Sequence, residues 1–358
     1  MKAMILAAGG ATRLYPLTHT LPKPLVPMLN VPVIEHLIAL LCRHGFTDIV
    51  INVHYLHRTI TEALGDGERF GVRLKYSHEE DLLGTAGGVR RVSDFFDDTF
   101  LVIGGDDLTD LDLTAFVNFH RAKKALATVA VSPMEAAPGI ADVGVLELDE
   151  EQRVTWFLEK PEPRRGESGR WSNSGIYLFE PEVLNWIPAK GSYDLAVQLF
   201  PEMVRRRAAF FGYPMGGAFW CDVGSHLRYR QAHWDLLEGK TKIAIPGKEI
   251  RPQVWVEDGA EVSPRAYLRP PILIGRGCRI EEKAEINGPV VLGAGCVVRE
   301  GARIRSSILW EHTVVGAHAH VEDCLVGSGC TLQAHQHYRK IVLASGARAG
   351  EVGRESTD

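Results

Sequence analysis

The stretch from Leu6 to Pro24, LAAGGATRLYPLTHTLPKP, decides how the first half of the chain folds. It begins at the end of the short apolar run Met4 to Leu6 and breaks at once into small residues, which predicts a strand ending in a tight turn. Backbone N–H groups in such a turn can point at an anion, and Arg13 and Lys23 add fixed positive charge. We therefore interpret the stretch as a cradle for a triphosphate rather than as an ordinary glycine-rich turn.

The composition indicates a globular chain of two domains. It has 358 residues, of which 45% are hydrophobic and 24% charged, and a formal net charge of −5. This charge gives no reason to expect nucleic acid or an anionic membrane as a partner. The apolar start from Met1 to Ala8 is too short for a membrane span and lacks the features of a signal peptide, so we expect a cytoplasmic protein. The six cysteines form no CxxC pair, which favours free thiols.

Up to about Gly239, apolar runs of strand length alternate with helical patterns. The clearest pair is a helix over Val33 to His44 followed by a strand over Asp48 to Val53, and a later helix is predicted over Asp194 to Arg207. This alternation predicts an α/β fold with a mainly parallel sheet covered on both faces. Gly104 to Asp106 follows the predicted strand Thr99 to Ile103. Because ligands collect outside the carboxyl ends of strands in such sheets, we expect a binding site there.

Beyond the segment 241–252, which reads as a linker, apolar residues recur at every sixth position. The recurring residues are Val254, Ala260, Ala266, Ile272, Cys278, Ala284, Val290, Cys296, Ala302, Ile308 and Val314. Hexapeptide repetition predicts a left-handed parallel β-helix with three repeats per coil, in which Cys278 stacks on Cys296 and Val290 on Ile308. The segment His320 to Val342 leaves this phase, so we expect it to cap the last coil. The predicted domains are therefore 1–240 and 253–343, with a flexible tail at 344–358.

Asp106 and Asp222 are the candidate metal ligands. Each ends an apolar run beside small residues, and two converging carboxylates suit Mg²⁺. Asp106 also belongs to an acidic stretch with Asp107, Asp110 and Asp112, for which a solvated loop is the alternative.

The motifs resemble those of the sugar-1-phosphate nucleotidyltransferases, whose opening motif runs L-A-x-G-x-G-T-R-L-x-P-L-T followed by P-K-P. The matching residues are Leu6, Ala7, Gly9, Thr12, Arg13, Leu14, Pro16, Leu17, Thr18, Pro22, Lys23 and Pro24. Three positions depart: Ala11 stands where the family has a second glycine, Gly104 where relatives often carry asparagine, and Val143 where the family's Y-G-V motif has tyrosine. The resemblance implies a Rossmann-like nucleotidyltransferase domain with a mixed, mainly parallel sheet, followed by the β-helix.

The resemblance also implies roles for individual residues. The nucleotide would be held by Leu6, Ala7, Ala8, Gly9, Thr12, Arg13, Lys23, Gly84 and Thr85. The sugar phosphate would be held by Gly144, Glu159, Lys160, Asn173 and Gly175. Asp106 and Asp222 match the family's two Mg²⁺ ligands. The motif L-G-T-A-G at Leu83 to Gly87, within the loop expected at Glu79 to Gly88, is most familiar from mannose-1-phosphate guanylyltransferases, although some thymidylyl- and uridylyltransferases share it.

The implied reaction is attack of a sugar-1-phosphate on the α-phosphorus of a nucleoside triphosphate, with release of pyrophosphate. GTP and mannose-1-phosphate are the preferred pair, and glucose-1-phosphate with UTP or dTTP is the alternative. Lys160 would position the attacking phosphate, while Arg13 and Lys23 hold the leaving pyrophosphate. The catalytic residues are thus expected to be Arg13, Lys23, Lys160, Asp106 and Asp222.

Two other classes of function remain open. A non-catalytic regulatory subunit would bind the sugar nucleotide only. Alternatively, the β-helix could act as an acyltransferase through a histidine, of which it carries five near its end: His312, His318, His320, His335 and His337. We expect instead that the β-helix joins copies of the chain into a homo-oligomer, using outward positions such as Trp255, Tyr267 and Tyr338.

Overall fold

The computed structural model describes residues 1–10, 12–134, 143–160 and 170–347. Contacts between Cα atoms divide the chain into two units. The sheet unit comprises Met1–Gly10 and Ile34–Asp222, and the repeat unit comprises Ala11–Val33 and Val223–Asp358. The predicted linker 241–252 lies inside the repeat unit, and the domain boundaries stay a prediction. Residues 348–358 of the predicted tail lie outside the described residues.

Thirteen strands and six α-helices precede residue 240 in the described part of the chain. The strands are β1 (Lys2–Ala7), β2 (Pro27–Met28), β3 (Val31–Pro32), β4 (Asp48–Val53), β5 (Arg73–His78), β6 (Phe100–Gly104), β7 (Asp107–Thr109), β8 (Ala127–Pro133), β9 (Val145–Leu148), β10 (Val154–Leu158), β11 (Trp171–Phe179), β12 (Phe210–Pro214) and β13 (Trp220–Asp222). The helices are α1 (Val33–Arg43), α2 (His57–Leu64), α3 (Gly84–Arg91), α4 (Leu113–Ala122), α5 (Phe200–Arg205) and α6 (His226–Leu237).

The sheet unit is built on one mixed sheet. Its order is β10-β9-β11-β6-β1-β4-β5, with β8 beside β11 and β12 beside β8. Strands β6, β1, β4 and β5 run parallel, and β11 runs antiparallel to β6. The register pairs Leu6 with both Asn52 and Gly104, so three strands end at the same edge. The mixed, mainly parallel sheet predicted for this part of the chain is confirmed.

Two local predictions in this unit need correction. The segment Glu79 to Gly88 is not all loop, because α3 begins at Gly84. The predicted helix from Asp194 to Arg207 is a π-helical turn over Leu195–Leu199 followed by α5. Pro201 has no backbone N–H for an α-helical bond and its ring crowds the preceding turn, which accounts for the wider turn before it.

The repeat unit contains the strands β14 (Lys248–Arg251), β15 (Val254–Val256), β16 (Glu261–Val262), β17 (Tyr267–Arg269), β18 (Ile272–Ile274), β19 (Arg279–Ile280), β20 (Glu285–Leu292), β21 (Val297–Val298), β22 (Arg303–Leu309), β23 (Val314–Val315), β24 (His320–Glu322), β25 (Leu325–Val326), β26 (Thr331–Leu332), β27 (His337–Arg339) and β28 (Val342–Leu343). From β15 onward, strands of successive coils pair in parallel, as in β16-β19-β21-β23-β26. A parallel β-helix is therefore confirmed. Cys278 and Cys296 are fully buried in its core, as small core residues are.

The repeat changes length within β22. Asn287 pairs with Arg305, 18 residues later, but Val290 pairs with Ser307 and not with Ile308 as predicted. Later coils keep the spacing of 17 residues, so that His320 pairs with His337. The segment predicted to cap the last coil instead continues the stack as β24 to β28. In a parallel β-helix, each strand needs to pair only with the strands of the coils directly before and after it. A coil can therefore lose one residue at a corner while its strands keep their backbone pairing with the neighbouring coils.

Among the described residues, no helix is both long and apolar enough to cross a membrane.

Candidate active site

A cavity of about 440 Å³ opens in the sheet unit at the edge where β1, β4 and β6 end. Eleven of the predicted site residues line it: Leu6, Ala8, Gly9, Gly84, Thr85, Asp106, Gly144, Glu159, Asn173, Gly175 and Asp222. Ala7 is buried at the end of β1 and does not line the cavity. Lys160 is exposed, has φ of 45°, and is not among the lining residues either. Thr12, Arg13 and Lys23 belong to the repeat unit.

The two candidate metal ligands lie on one wall of this cavity. Strands β7 and β13 pair antiparallel with Asp222 opposite Asp107, and Asp106 directly precedes β7. Carboxylate oxygens are the donors that Mg²⁺ prefers, and Mg²⁺ usually takes only one or two of them together with water and substrate phosphates. No larger group of His, Cys, Asp or Glu arranged to hold a metal occurs in the part of the chain that the structure describes. The donor set therefore fits Mg²⁺ shared with a substrate.

Asp107 is a site residue that the sequence analysis did not single out. Its side chain is 5% exposed and accepts a hydrogen bond of 3.0 Å from Trp220 Nε1. A Cβ atom built on Gly175 would lie 2.6 Å from Asp107 Oδ2, and one built on Gly104 would collide with the same oxygen. Both glycines thus make room for this carboxylate. The departure at Gly104 has a local reason, because the space of a larger side chain is taken by Asp107.

The acidic stretch around these residues is not a solvated loop. Asp110 Oδ1 accepts a hydrogen bond from Phe219 N at 2.7 Å, which ties the stretch to the segment before β13. Asp112 caps α4 by accepting a hydrogen bond of 3.0 Å from Ala115 N. These contacts fix the backbone on which Asp106 is carried.

Glu159 brings a buried acceptor to the lining of the same cavity. Its Oε2 is buried and has no hydrogen-bond partner among the described residues. Burial raises the pKa of this carboxyl group, and the neighbouring Lys160 charge opposes that shift. A Cβ atom on Gly144 would lie 2.7 Å from this oxygen, so glycine is needed there. A buried acceptor without a partner is costly, which suits a position that receives a ligand hydroxyl.

Asn173 is held in place by both of its amide atoms. Its Nδ2 donates to Tyr177 Oη at 2.9 Å, and its Oδ1 accepts from Gly175 N at 3.1 Å. Its backbone N donates to Gly144 O at 2.8 Å. Three residues of the predicted sugar site are therefore connected through Asn173.

The L-G-T-A-G motif forms the first turn of α3 and is fastened to the segment before the π-helical turn. Thr85 Oγ1 donates to Asp194 Oδ2 at 2.8 Å and accepts from Leu195 N at 2.8 Å. Gly84 has φ of +74°, and a Cβ atom there would lie 2.6 Å from Tyr193 O. The Thr85 hydroxyl is thus bonded to the protein itself. Asp194, which the sequence analysis treated only as a helix start, belongs to the cavity wall.

A second overlooked group links three parts of the cavity. Glu79 is 1% exposed and accepts hydrogen bonds from Asn52 Nδ2 at 2.8 Å and from Leu83 N at 3.0 Å. Asn52 Oδ1 in turn accepts from Ala7 N at 2.8 Å. The end of β1 is thereby connected to the L-G-T-A-G segment. The available sequence signal was the polar Asn52, which follows the apolar run Ile49 to Ile51 near the carboxyl end of β4.

The residues of the predicted triphosphate cradle are divided between the sheet unit, up to Gly10, and the repeat unit, from Ala11. A Cβ atom on Gly9 or Gly10 would have no atom within 4 Å, so these two glycines after β1 border open space. In the repeat unit, Arg13 lies in a short 3₁₀ turn and is exposed, while Lys23 begins another such turn and is half-buried. Ala11, which stands where the family's opening motif has a second glycine, lies outside the described residues.

The structure is that of an α/β protein with a β-helical second part, and known proteins resemble it in both parts. A profile described as Nucleotidyl transferase matches residues 2–239, and one described as GMPPB C-terminal domain matches residues 269–351. The chain belongs to the nucleotidyl transferase family. The resemblance to sugar-1-phosphate nucleotidyltransferases is thus confirmed.

Individual relatives carry different substrate names. A UTP–glucose-1-phosphate uridylyltransferase of Synechocystis is 43% identical over 270 residues, covering 71% of this chain and 68% of that protein. A mannose-1-phosphate guanylyltransferase of Mycobacterium tuberculosis is 32% identical over 269 residues, covering 74% and 72%. A crystal structure assigned as a glucose-1-phosphate thymidylyltransferase of Bacillus anthracis superposes with a TM-score of 0.60 at 26% identity, covering 70% of this chain and 98% of that one.

Proposed function

We propose that this chain transfers a nucleotidyl group from a nucleoside triphosphate to a sugar-1-phosphate, forming a sugar nucleotide and pyrophosphate. The observation that carries the proposal is the convergence of Asp106, Asp222 and the unpartnered Glu159 Oε2 on one cavity. Carboxylates for a hard metal ion beside a buried acceptor suit a substrate that combines phosphates with sugar hydroxyls. Family membership supports the same reaction class.

The residues have distinct parts in this reaction. An oxygen of the sugar phosphate attacks the α-phosphorus, a new P–O bond forms, and the bond to pyrophosphate breaks. No general base is needed, because the second pKa of a phosphate ester is about 6 and the nucleophile is already an anion. Glu159 accepts a hydrogen bond from a sugar hydroxyl, and Lys160 pairs with the sugar phosphate. Arg13 and Lys23 bind the triphosphate and hold its leaving end.

Asp106 and Asp222 would hold Mg²⁺ in this proposal. The bound ion would neutralise phosphate charge that otherwise opposes the approach of two anions. Asp107 does not need to be a ligand, since its Oδ1 is engaged by Trp220 and its carboxylate packs against two glycines.

Two substrate pairs have specific support. GTP with mannose-1-phosphate is supported by the L-G-T-A-G motif and by the match to the GMPPB C-terminal domain. UTP with glucose-1-phosphate is supported by the 43% identity to the Synechocystis uridylyltransferase, against 32% for the mycobacterial guanylyltransferase. We place the UTP pair first on that ground, although the sequence motif alone favoured GTP.

The other classes of function have weaker support. A non-catalytic regulatory subunit would not need all of the charged residues that are expected to be catalytic. This chain has all five of them: Arg13, Lys23, Lys160, Asp106 and Asp222. Four of the five histidines of the β-helix form two columns of neighbouring coils, and His312 is exposed as well. The rings of His318 and His335 stack at 5.1 Å and those of His320 and His337 at 4.2 Å. Such columns fit polar residues on the surface of the coils.

A screen of five nucleoside triphosphates against a panel of sugar-1-phosphates, with Mg²⁺ and pyrophosphate release as the signal, tests the proposal. We expect release that requires both substrates and is fastest with UTP and glucose-1-phosphate. Fastest release with GTP and mannose-1-phosphate would reverse the order of the pairs. Absence of pyrophosphate release with every pair, together with tight binding of a sugar nucleotide, would support the non-catalytic regulatory subunit instead.

A further inference from the structure

The hairpin β2–β3 follows the predicted triphosphate ligand Lys23 within four residues. Its two-residue turn consists of Leu29 and Asn30, with φ of 48° and 65°. Positive φ at both positions is what a type I′ turn requires, but it is uncommon for leucine. Leu29 is also fully buried. A strained conformation of this kind persists only where surrounding groups enforce it, so contacts from other elements must hold the hairpin in place.

Helix α6 supplies the first set of these groups. Tyr229 is fully buried, and its Oη donates a hydrogen bond of 2.6 Å to Pro27 O. Leu29 N donates to His233 Nε2 at 3.2 Å, and His233 Nδ1 lies 2.9 Å from Tyr229 O. This pattern fits a histidine ring whose proton is on Nδ1. Strand β2 and the first residue of the turn are thus bonded to one face of α6.

The β-helix supplies the second set. Trp310 directly follows β22, and its Nε1 donates to Tyr229 Oη at 2.9 Å, so the tyrosine hydroxyl bridges this coil and the hairpin. Asn30 Nδ2 donates to Glu257 Oε1 and to Leu292 O, each at 3.0 Å. All of these residues lie in the repeat unit, together with Arg13 and Lys23. Three coils of the β-helix therefore contribute to the position of a segment that begins beside the triphosphate motif.

We propose that Tyr229 is a positioning residue for triphosphate binding, which it controls by fixing Pro27, and hence the Lys23 segment, to the β-helix at Trp310. Tyr229 acts through Pro27 and does not touch the nucleotide. This inference rests on the proposed function, since it assigns the triphosphate to the Arg13 and Lys23 segment. It gives the β-helix a part in substrate binding besides any part in assembly.

Tyr229→Phe is the variant of choice, because it removes the bridging hydroxyl and keeps the ring. Pro27 O and Trp310 Nε1 would then lose a buried partner. We expect the Kd of the favoured triphosphate with Mg²⁺, measured by calorimetry on the full chain, to rise about tenfold. The KM for that triphosphate should rise in parallel, while the KM for the sugar-1-phosphate stays within about twofold.

Thr313→Val is the matched control. Thr313 is fully buried, and its Oγ1 donates to Gly327 O at 3.1 Å inside the same β-helix, but it has no contact with the hairpin among these bonds. This variant should lower the melting temperature and leave the triphosphate Kd unchanged. Asn30→Ala, which removes a different anchor of the hairpin, should raise the Kd in the same direction as Tyr229→Phe.

The outcomes separate the two proposals. Wild-type binding by Tyr229→Phe and Asn30→Ala would overturn the positioning role. An equal rise in Kd for Thr313→Val would also overturn it, because the effect would then be general loss of stability. If the wild-type chain binds no nucleoside triphosphate at all, the proposed function itself is wrong and the inference with it.

Discussion

Asp222 lies opposite Asp107 in the antiparallel pair β7–β13, and this pairing brings the end of β13 beside Asp106 at the sheet edge. The two ligand candidates are 116 residues apart in sequence, yet neither depends on a flexible loop for its position. Trp220 Nε1 secures the pair by donating to Asp107. Backbone hydrogen bonds between β7 and β13 therefore position the proposed metal ligands without a bound ion.

From this arrangement we predict that Asp106→Asn and Asp222→Asn lower turnover by about two orders of magnitude or more, with little change in melting temperature. Pyrophosphate release and calorimetric unfolding measure the two effects. Asp112→Asn is the control from the same acidic stretch, because asparagine also caps helices and should preserve both activity and stability. Activity at the wild-type level in either of the first two variants would remove that residue from the metal site.

Gly104→Asn restores the residue that relatives often carry, and here we predict that it destabilises the chain. Its Cβ would collide with Asp107 Oδ2, so a buried carboxylate must move. We expect the free energy of unfolding to fall by about 1–3 kcal/mol, measured by urea denaturation. Gly10→Ala, where nothing lies within 4 Å of the new Cβ, should change it by less than about 0.5 kcal/mol. Equal effects of the two substitutions would contradict this explanation of Gly104.

Glu79→Gln should loosen the connection between Ala7 and the L-G-T-A-G segment. Both carboxylate oxygens accept hydrogen bonds from N–H donors, and an amide can provide only one such acceptor. We expect a loss of about 1–3 kcal/mol in stability and a higher KM for the triphosphate. The neighbouring exposed Glu80, changed to Gln, controls for the lost charge. A stability change of the same size in both variants would contradict the prediction.

The raised pKa of Glu159 predicts how stability depends on pH. In the range from the unfolded value of 4.5 up to the raised folded value, the folded chain binds more protons than the unfolded one. Glu159 therefore costs stability as the pH rises through this range. Glu159→Gln should raise the melting temperature at pH 7 relative to wild type, with the gain shrinking towards pH 4, while the KM for the sugar-1-phosphate increases.

Exposed Glu151→Gln is the control for this experiment. A pH-independent difference between Glu159→Gln and wild type, or a gain that grows towards acidic pH, would show that the buried carboxylate is not the cause.

Elements with a local hydrophobic period were predictable from the sequence. The strand predicted over Asp48 to Val53 has those bounds in β4, and the helix predicted over Val33 to His44 ends one residue earlier in α1. Their apolar positions alone determine which face is buried, as Ile34, Leu37 and Ile38 show. The β-helix was predictable for the same reason, since each coil repeats the same inward positions.

Features set by distant contacts were not predictable. Helix α3 starts among glycines, which have low helix propensity, and Gly84 is required there by Tyr193, more than 100 residues later. The change in spacing between coils from 18 to 17 residues, which occurs within β22, leaves no signal in the earlier repeats. In the sequence, Asp107 looked like part of a solvated acidic loop, because no nearby residue indicated that Trp220 would donate a hydrogen bond to it.

The grouping of residues 11–33 with the β-helix also changes the expected effect of truncation. From sequence alone, removing residues 253–358 should leave some nucleotidyl transfer. In the structure this deletion would remove Trp310, Glu257 and Leu292, which hold Tyr229 and Asn30. We now expect the truncated chain to bind triphosphate poorly. The homo-oligomer through the β-helix stays a prediction that light scattering of the full chain would check.

In the proposed reaction, the chain joins the nucleotidyl group of a triphosphate, through its α-phosphorus, to a sugar-1-phosphate. Incubation with a triphosphate labelled at its α-phosphorus, the favoured sugar-1-phosphate and Mg²⁺ tests it most directly. We predict that the label appears in the sugar nucleotide in the same amount as the pyrophosphate released, and that Asp222→Asn lowers the rate of both by about two orders of magnitude or more. Label found only in free nucleoside monophosphate, or remaining in the triphosphate with every sugar-1-phosphate offered, would contradict the account.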